Sequence, residues 1–151
     1  QSEFSSTKML SWAQNLVWYE QAHERGFDEY VLLNERGDIA ECTSANIFAV
    51  FGSTVCTPPL SSGCLPGVTR ALLLSEIKVS GYTTVERPLM PADLEKADQV
   101  MISSTTRDLL VVESIEGLNI RNEGHAAAVL EEALAAYRAR YIQERAATAA
   151  R

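Results

Sequence analysis

Histidine is scarce in this chain: His23 and His125 are the only two, and they are far apart along it. Such a pair offers no cluster with metal-ligand spacing, so no metal centre is expected. Cysteine is sparse too. Cys42, Cys56 and Cys64 form an odd set without a Cys-x-x-Cys pair, which reads as reduced thiols and not as a disulfide framework. Positive charge is in short supply: thirteen Lys and Arg stand against twenty Asp and Glu, a formal charge of -7. That balance excludes a broad basic field and with it general nucleic-acid binding, though one local positive site could still take an anion. No apolar run approaches membrane-spanning length. The leading residues "QSEFSST" have neither the charged start nor the apolar core of a signal peptide, so the expected address is the cytoplasm. Internal repeats and low-complexity linkers are absent.

What remains is ordinary globular material. The 151 residues are 46% hydrophobic and 22% charged, enough for one domain with a proper core. Leu10, Ala13 and Val17 share one face of a predicted helix from Leu10 to Arg25, which Gly26 stops. "EYVLLN" (29–34), the turn "ERGD" and the return strand "IAE" predict a hairpin. "NIFAVFG" (46–52) and "TVCTP" (54–58) predict a second, folded over Gly52-Ser53. A helix is predicted from Gly67 to about Ser80, ended by Gly81. "YTTVERP" follows as a strand and "MPADLEKA" as a short helix with proline in its first turn. "QVMISS" reads as a buried strand, "TTRD" as a turn and "LLVVESIEG" as another strand. The tail is an amphipathic helix through Val129, Leu130, Ala133, Leu134, Tyr137 and Tyr141, with "AATAAR" expected to fray. Strands and helices without strict alternation favour a mixed α/β domain on a largely antiparallel sheet.

Four places could carry chemistry. At Gly67-Val68-Thr69 a loop opens a helix, whose first amides and dipole suit a phosphate. Thr69 adds a hydroxyl, and Gly67 lets an anion approach the backbone. The bland reading is a junction whose donors are met by water, and the Gly-Lys-Ser/Thr of a Walker motif is absent. "SSTTRD" (103–108) ends a buried strand in four hydroxyl residues, which suit a phosphate oxygen or simply cap their own turn. Lys8, in "STKMLSW", is either a solvated charge or an amine made nucleophilic by desolvation among Met9 and Leu10. Glu41, in "IAECTSANIF", is either a surface charge or a carboxylate aimed into a pocket, and spacing does not choose. Arg70, Arg107 and Asn46 read as structural.

Taken in order, these pieces closely resemble one family. They are a lysine ahead of a helix, "GFDEYVLLNERGDIAECTSANIFAV", "TPPLSSGCLPGVTRALLL", "ERPLMPADLEKADQVMISSTTRDLLVV" and "IEG". The family is that of the class IV pyridoxal-phosphate enzymes, which includes branched-chain and D-amino-acid aminotransferases and 4-amino-4-deoxychorismate lyases. The resemblance runs from Lys8 to about Gly117. It implies the large domain of the D-amino-acid aminotransferase type, a largely antiparallel sheet forming a partial barrel with flanking helices. It further implies that Lys8 forms the Schiff base with pyridoxal 5'-phosphate and that Glu41 faces the pyridine nitrogen. Val68 and Thr69 would hold the phosphate, Ser104 and Thr105 would add a second phosphate contact, and Leu65 would pack on the cofactor ring. Amino transfer between an amino acid and a 2-oxo acid is the implied reaction. The lyase reaction giving 4-aminobenzoate and pyruvate is the alternative on the same scaffold, and a non-catalytic domain of the same fold is the reading from another class.

Two features depart from the family pattern. The chain begins seven residues before Lys8, whereas the family has an N-terminal domain that supplies an arginine to the phosphate and part of the substrate pocket. The expectation is that 1–151 is the C-terminal cofactor-binding domain, that the small N-terminal domain lies outside it, and that the domain alone holds cofactor poorly. Trp12 and Ala13 stand where the branched-chain enzymes carry Asn-Tyr, and "KMLS" and "SSTT" are similar to the D-amino-acid aminotransferases and the lyases. A homodimer is implied by the family, with Phe48 and Trp18 as apolar candidates for an interface.

Overall fold

The structure, a computed structural model, describes residues 13–149. Lys8, Met9, Leu10 and Trp12 lie outside the described residues. The described residues open with helix α1 (Ala13–Glu24), which the left-handed Gly26 closes, as the sequence predicts. Strands β1 (Val31–Leu33) and β2 (Ile39–Cys42) pair antiparallel in a separate two-stranded sheet. Strands β3 (Asn46–Phe51) and β4 (Thr54–Thr57) form the second hairpin, over Gly52-Ser53, where Gly52 takes φ 56°. Helix α2 (Val68–Ser75), strand β5 (Thr83–Glu86) and helix α3 (Pro91–Leu94) follow. Strands β6 (Gln99–Ser104) and β7 (Asp108–Val111) and the long helix α4 (Ala126–Ala149) complete the chain.

The main sheet has the order β5-β4-β3-β6-β7, antiparallel except for the β4–β5 pair. Its centre, β3 against β6, is buried on both faces, which is why both strands read as almost unbroken apolar runs. Side chains alternate between two cores, as the period of a strand requires. Ile47, Ala49, Val100 and Ile102 point to one side, where Ile39, Leu89 and Leu94 cover them. Phe48, Val50 and Met101 point to the other, under Leu73 of α2 and Leu130 and Leu134 of α4.

Several expectations change in detail. The helix at Gly67 ends at Ser75, not near Ser80. Leu72 O accepts from both Glu76 N (2.9 Å) and Ile77 N (2.8 Å), and Ile77 turns into the core beneath the sheet. The chain has therefore left the helix before Gly81 is reached. The run "LLVVESIEG" is strand only as far as Val111, with a lone Ile115–Leu118 bridge beyond it. The tail is helical through Ala149 instead of fraying from Ala146. Phe48 is fully buried and so offers nothing to an interface, while Trp18 is half-buried. Ala13 and Val17 are exposed and Ala22 is fully buried, so α1 packs through Ala22 and not through the predicted face.

Candidate functional site

The segment between β4 and α2 explains how the site is built. Pro58-Pro59 lead into a single 3-10 turn, Leu60–Ser62, closed by Gly63 at φ 102°. Pro66 then bends the chain so that Gly67 N–H reaches Leu65 O at 2.9 Å. Gly67 is the N-cap of α2 and carries no side chain to cap it, so the first amides of the helix, at Val68 and Thr69, have no partner inside it. Val68 faces outward, and Thr69 is buried with its hydroxyl donating to Ser104 O at 3.4 Å. That contact brings the start of α2 to the end of β6. The two stretches that each suited a phosphate in the sequence are therefore neighbours.

Ser104 also serves its own turn. Its Oγ accepts from Arg107 N at 3.1 Å and lies 3.4 Å from Thr106 Oγ1, while Thr105 is exposed at the tip. Asp108 closes the turn at φ 55°, held by both guanidinium nitrogens of Arg138 from α4. Arg107 reaches the other way, to Glu29 and Ser44. Glu29 is an almost fully buried carboxylate that also accepts from Thr43 Oγ1 and from Ser44 N and Oγ. Arg107 is thus a tie between two turns, in keeping with its structural reading. Arg70 is another tie, buried against Pro58 O and Glu86.

Glu41 is turned inward and half-buried. It sits on β2 with its side chain turned toward the loop ahead of α2, and its Oε2 accepts from Leu65 N at 3.0 Å and Asn46 Nδ2 at 3.3 Å. Its Oε1 has no hydrogen-bond partner among the described residues. Burial raises its carboxyl from the usual 4.5 to about 7; the Leu65 amide and Arg70 pull the other way, and Glu29 adds a small push upward. Near neutrality this group is divided between its protonated and ionised forms, as a surface glutamate is not. Leu65 is half-buried beside it.

Glu41, Leu65, Val68, Thr69, Ser104 and Thr105 therefore gather at one end of the main sheet, and Lys8 lies outside the described residues. Asn46, which reads as structural in the sequence, lies among them, bonded to Glu41 and Leu65. The available signal was an amide opening an otherwise apolar strand, "NIFAVF", directly after the small residues that follow Glu41. A cavity of about 250 Å³ lies at the opposite end of the sheet, among Val50, Gly52, Tyr82, Asp98 and Glu123–Ala126, and touches none of these residues. The three cysteines are free and buried; burial raises all three thiols, Cys64 to about 11, which leaves them protonated and inert at neutral pH. Among the described residues no helix is long and apolar enough to cross a membrane.

A mixed sheet with helices packed on it thus sets an uncapped helix start and a half-buried carboxyl against the same loop. The chain belongs to the class IV aminotransferase family, whose model matches residues 1–115. A putative branched-chain-amino-acid aminotransferase of Methanocaldococcus jannaschii is 34% identical over 118 residues, 78% of this chain and 41% of that one. The D-alanine aminotransferase of Bacillus licheniformis is 30% identical over 113 residues, covering 75% of this chain and 40% of its own. Among solved structures, the branched-chain aminotransferase of Thermoproteus uzoniensis with norvaline superimposes with a TM-score of 0.73 at 27% identity, covering 80% of this chain and 40% of that one. The chain thus spans about two fifths of the length of these relatives. Enzymes of this family depend on pyridoxal phosphate.

Proposed function

We propose that this chain is the cofactor-binding domain of a pyridoxal-phosphate-dependent aminotransferase that moves an amino group between an amino acid and a 2-oxo acid. The observation that carries the reading is the bridge at Leu65. Its amide holds one oxygen of a half-buried carboxyl, and two residues later the backbone opens an uncapped helix. The donor set fits the cofactor at both ends, with free amides for the phosphate and an unpartnered Glu41 Oε1 for a protonated ring nitrogen. Pyridoxal phosphate, when bound, supplies an electron-withdrawing ring that makes a substrate Cα proton removable.

The chain's own residues do the rest. Val68 and Thr69 donate to the phosphate, aided by the helix dipole, and Ser104 and Thr105 close its other side. Leu65 lays an apolar surface against the ring. Glu41 favours the protonated ring nitrogen, and that positive partner in turn draws its own carboxyl below 7. Lys8 is assigned by the family motif to carry the cofactor covalently. Its Nζ, when not bonded to the cofactor, would take the proton from the substrate Cα and deliver it to the cofactor carbon. An N-terminal segment of the longer protein and a second copy of the chain complete the pocket in this reading.

The chain has only three lysines, Lys8, Lys78 and Lys96, which makes a direct test possible. Incubation with pyridoxal phosphate, borohydride reduction and peptide mass spectrometry should place the label on Lys8. Label confined to Lys78 and Lys96, which are exposed on the described surface, would overturn the proposal. Assays of amino transfer to 2-oxoglutarate or pyruvate, run beside aminobenzoate formation, separate transaminase from lyase.

A further inference from the structure

We propose that Asn46 is a positioning residue, whose single side chain sets both the Glu41 carboxylate and the helix start of α2 in one fixed relation. This rests on the functional reading above and deepens it. Asn46 is the first residue of β3 and is only 6% exposed, so its amide must find partners inside the protein. Nδ2 donates to Leu65 O at 2.9 Å and to Glu41 Oε2 at 3.3 Å. Leu65 N donates to the same Oε2 at 3.0 Å. The three residues thereby close a ring of hydrogen bonds. Both donors converge on Oε2, which leaves Oε1 as the oxygen free to face a ligand.

The other end of the same amide bears on α2. An ideal Cβ built on Gly67 would stand 2.0 Å from Asn46 Oδ1, far inside contact distance. Gly67 is at φ -61°, open to any residue, so its lack of a side chain is required by this approach and not by its backbone angles. Leu65 O accepts from Gly67 N as well as from Asn46 Nδ2, so the bend at Pro66 is held by the same group. On the backbone, Asn46 pairs with Ser103, next to Ser104. One side chain thus touches the ring-facing acid, the loop that packs on the ring and the residue that opens the phosphate helix. A merely structural asparagine would satisfy its own polar atoms and leave the proton affinity of Glu41 alone.

That difference is measurable without cofactor. Selective carbon-13 labelling lets NMR follow the Glu41 carboxyl through a pH titration in protein purified free of pyridoxal phosphate. The charged groups that bear on Glu41 are Arg70 of α2 and Glu29 ahead of β1, and neither is altered by the variants used. Asn46→Ala removes a donor to the ionised form, so proton binding should tighten by about tenfold, one unit upward. Gly67→Ala leaves Asn46 in place but displaces its amide, and should shift the midpoint in the same direction. In the double variant the displaced atom is gone, so adding Gly67→Ala to Asn46→Ala should change nothing further. An unmoved midpoint in either folded single variant, or additive shifts in the double, would overturn the proposal. Labelling of Lys8 is read separately. A labelled Lys8 with an unmoved Glu41 removes only the role of Asn46, while a shifted Glu41 with no label on Lys8 removes only the functional reading.

Discussion

The Glu41 carboxyl is raised to about 7 because a carboxylate loses more from leaving water than the Leu65 amide and Arg70 return to it. The consequence for stability has a definite sign. Its folded carboxyl is raised from 4.5 to about 7, so across that window the folded state keeps a proton that the unfolded chain has released. The contribution is whole below about 4.5 and is lost as pH rises through about 7. A full shift of that size corresponds to roughly 3 kcal/mol, and partial exposure of the side chain lowers it. Glu41→Gln should therefore leave the cofactor-free protein unchanged at pH 4 and stabilise it by about 1–3 kcal/mol at pH 8 in urea melts. Equal effects at the two pH values would mean that desolvation is not what raises the group. The same substitution should weaken cofactor binding, which makes the residue a local case of stability given up for function.

Helix α4 shows how unevenly one element can be held. Ala126, Ala127, Leu130 and Leu134 lie buried on the sheet beside Phe48 and Met101, and Arg138 pairs with Asp108 of β7. Beyond that point the apolar residues run on to Tyr141, which meets Tyr137 and Arg145 of its own helix, and to Ile142, which is 65% exposed. Leu134→Ala should cost about 2–5 kcal/mol through lost burial and a residual cavity. Ile142→Ala should stay within about 0.5 kcal/mol, measured by the same denaturant titration on the monomer. Helix α2 carries a related lesson. Its start was readable from Pro66-Gly67, because backbone chemistry is local. Its end was not, because Ile77 leaves the helix to meet a core assembled from distant strands.

The whole chain carries a formal charge of -7, and the ligand proposed for it is an anion. Attraction must then be local, from helix amides and hydroxyls, while the long-range field opposes approach. Added salt screens that repulsion, with a Debye length near 8 Å at about 0.15 M. Uptake of pyridoxal phosphate should accordingly quicken as salt rises from low to physiological strength, by less than about tenfold, while pyridoxal without its phosphate should show little change. Stopped-flow absorbance would read both rates. A steep slowing with salt would instead reveal a positive entry path that the net charge conceals.

Composition, turn residues and periodicity determined much of this protein before any coordinates: the two hairpins, the helix opening at Gly67, the closing amphipathic helix and the ordered motifs that mark the family. Those signals are local, each written within a dozen residues by side-chain alternation or by a glycine or proline at a bend. Tertiary structure alone decided that Glu41 is a half-buried acid with one oxygen held, that Phe48 is core, and that Thr69 and Ser104 meet. Asn46 gains its meaning only when Leu65 and Gly67, some twenty residues further along the chain, fold back against it. Desolvation and hydrogen-bond geometry arise from packing between distant segments, and no spacing along a chain records them.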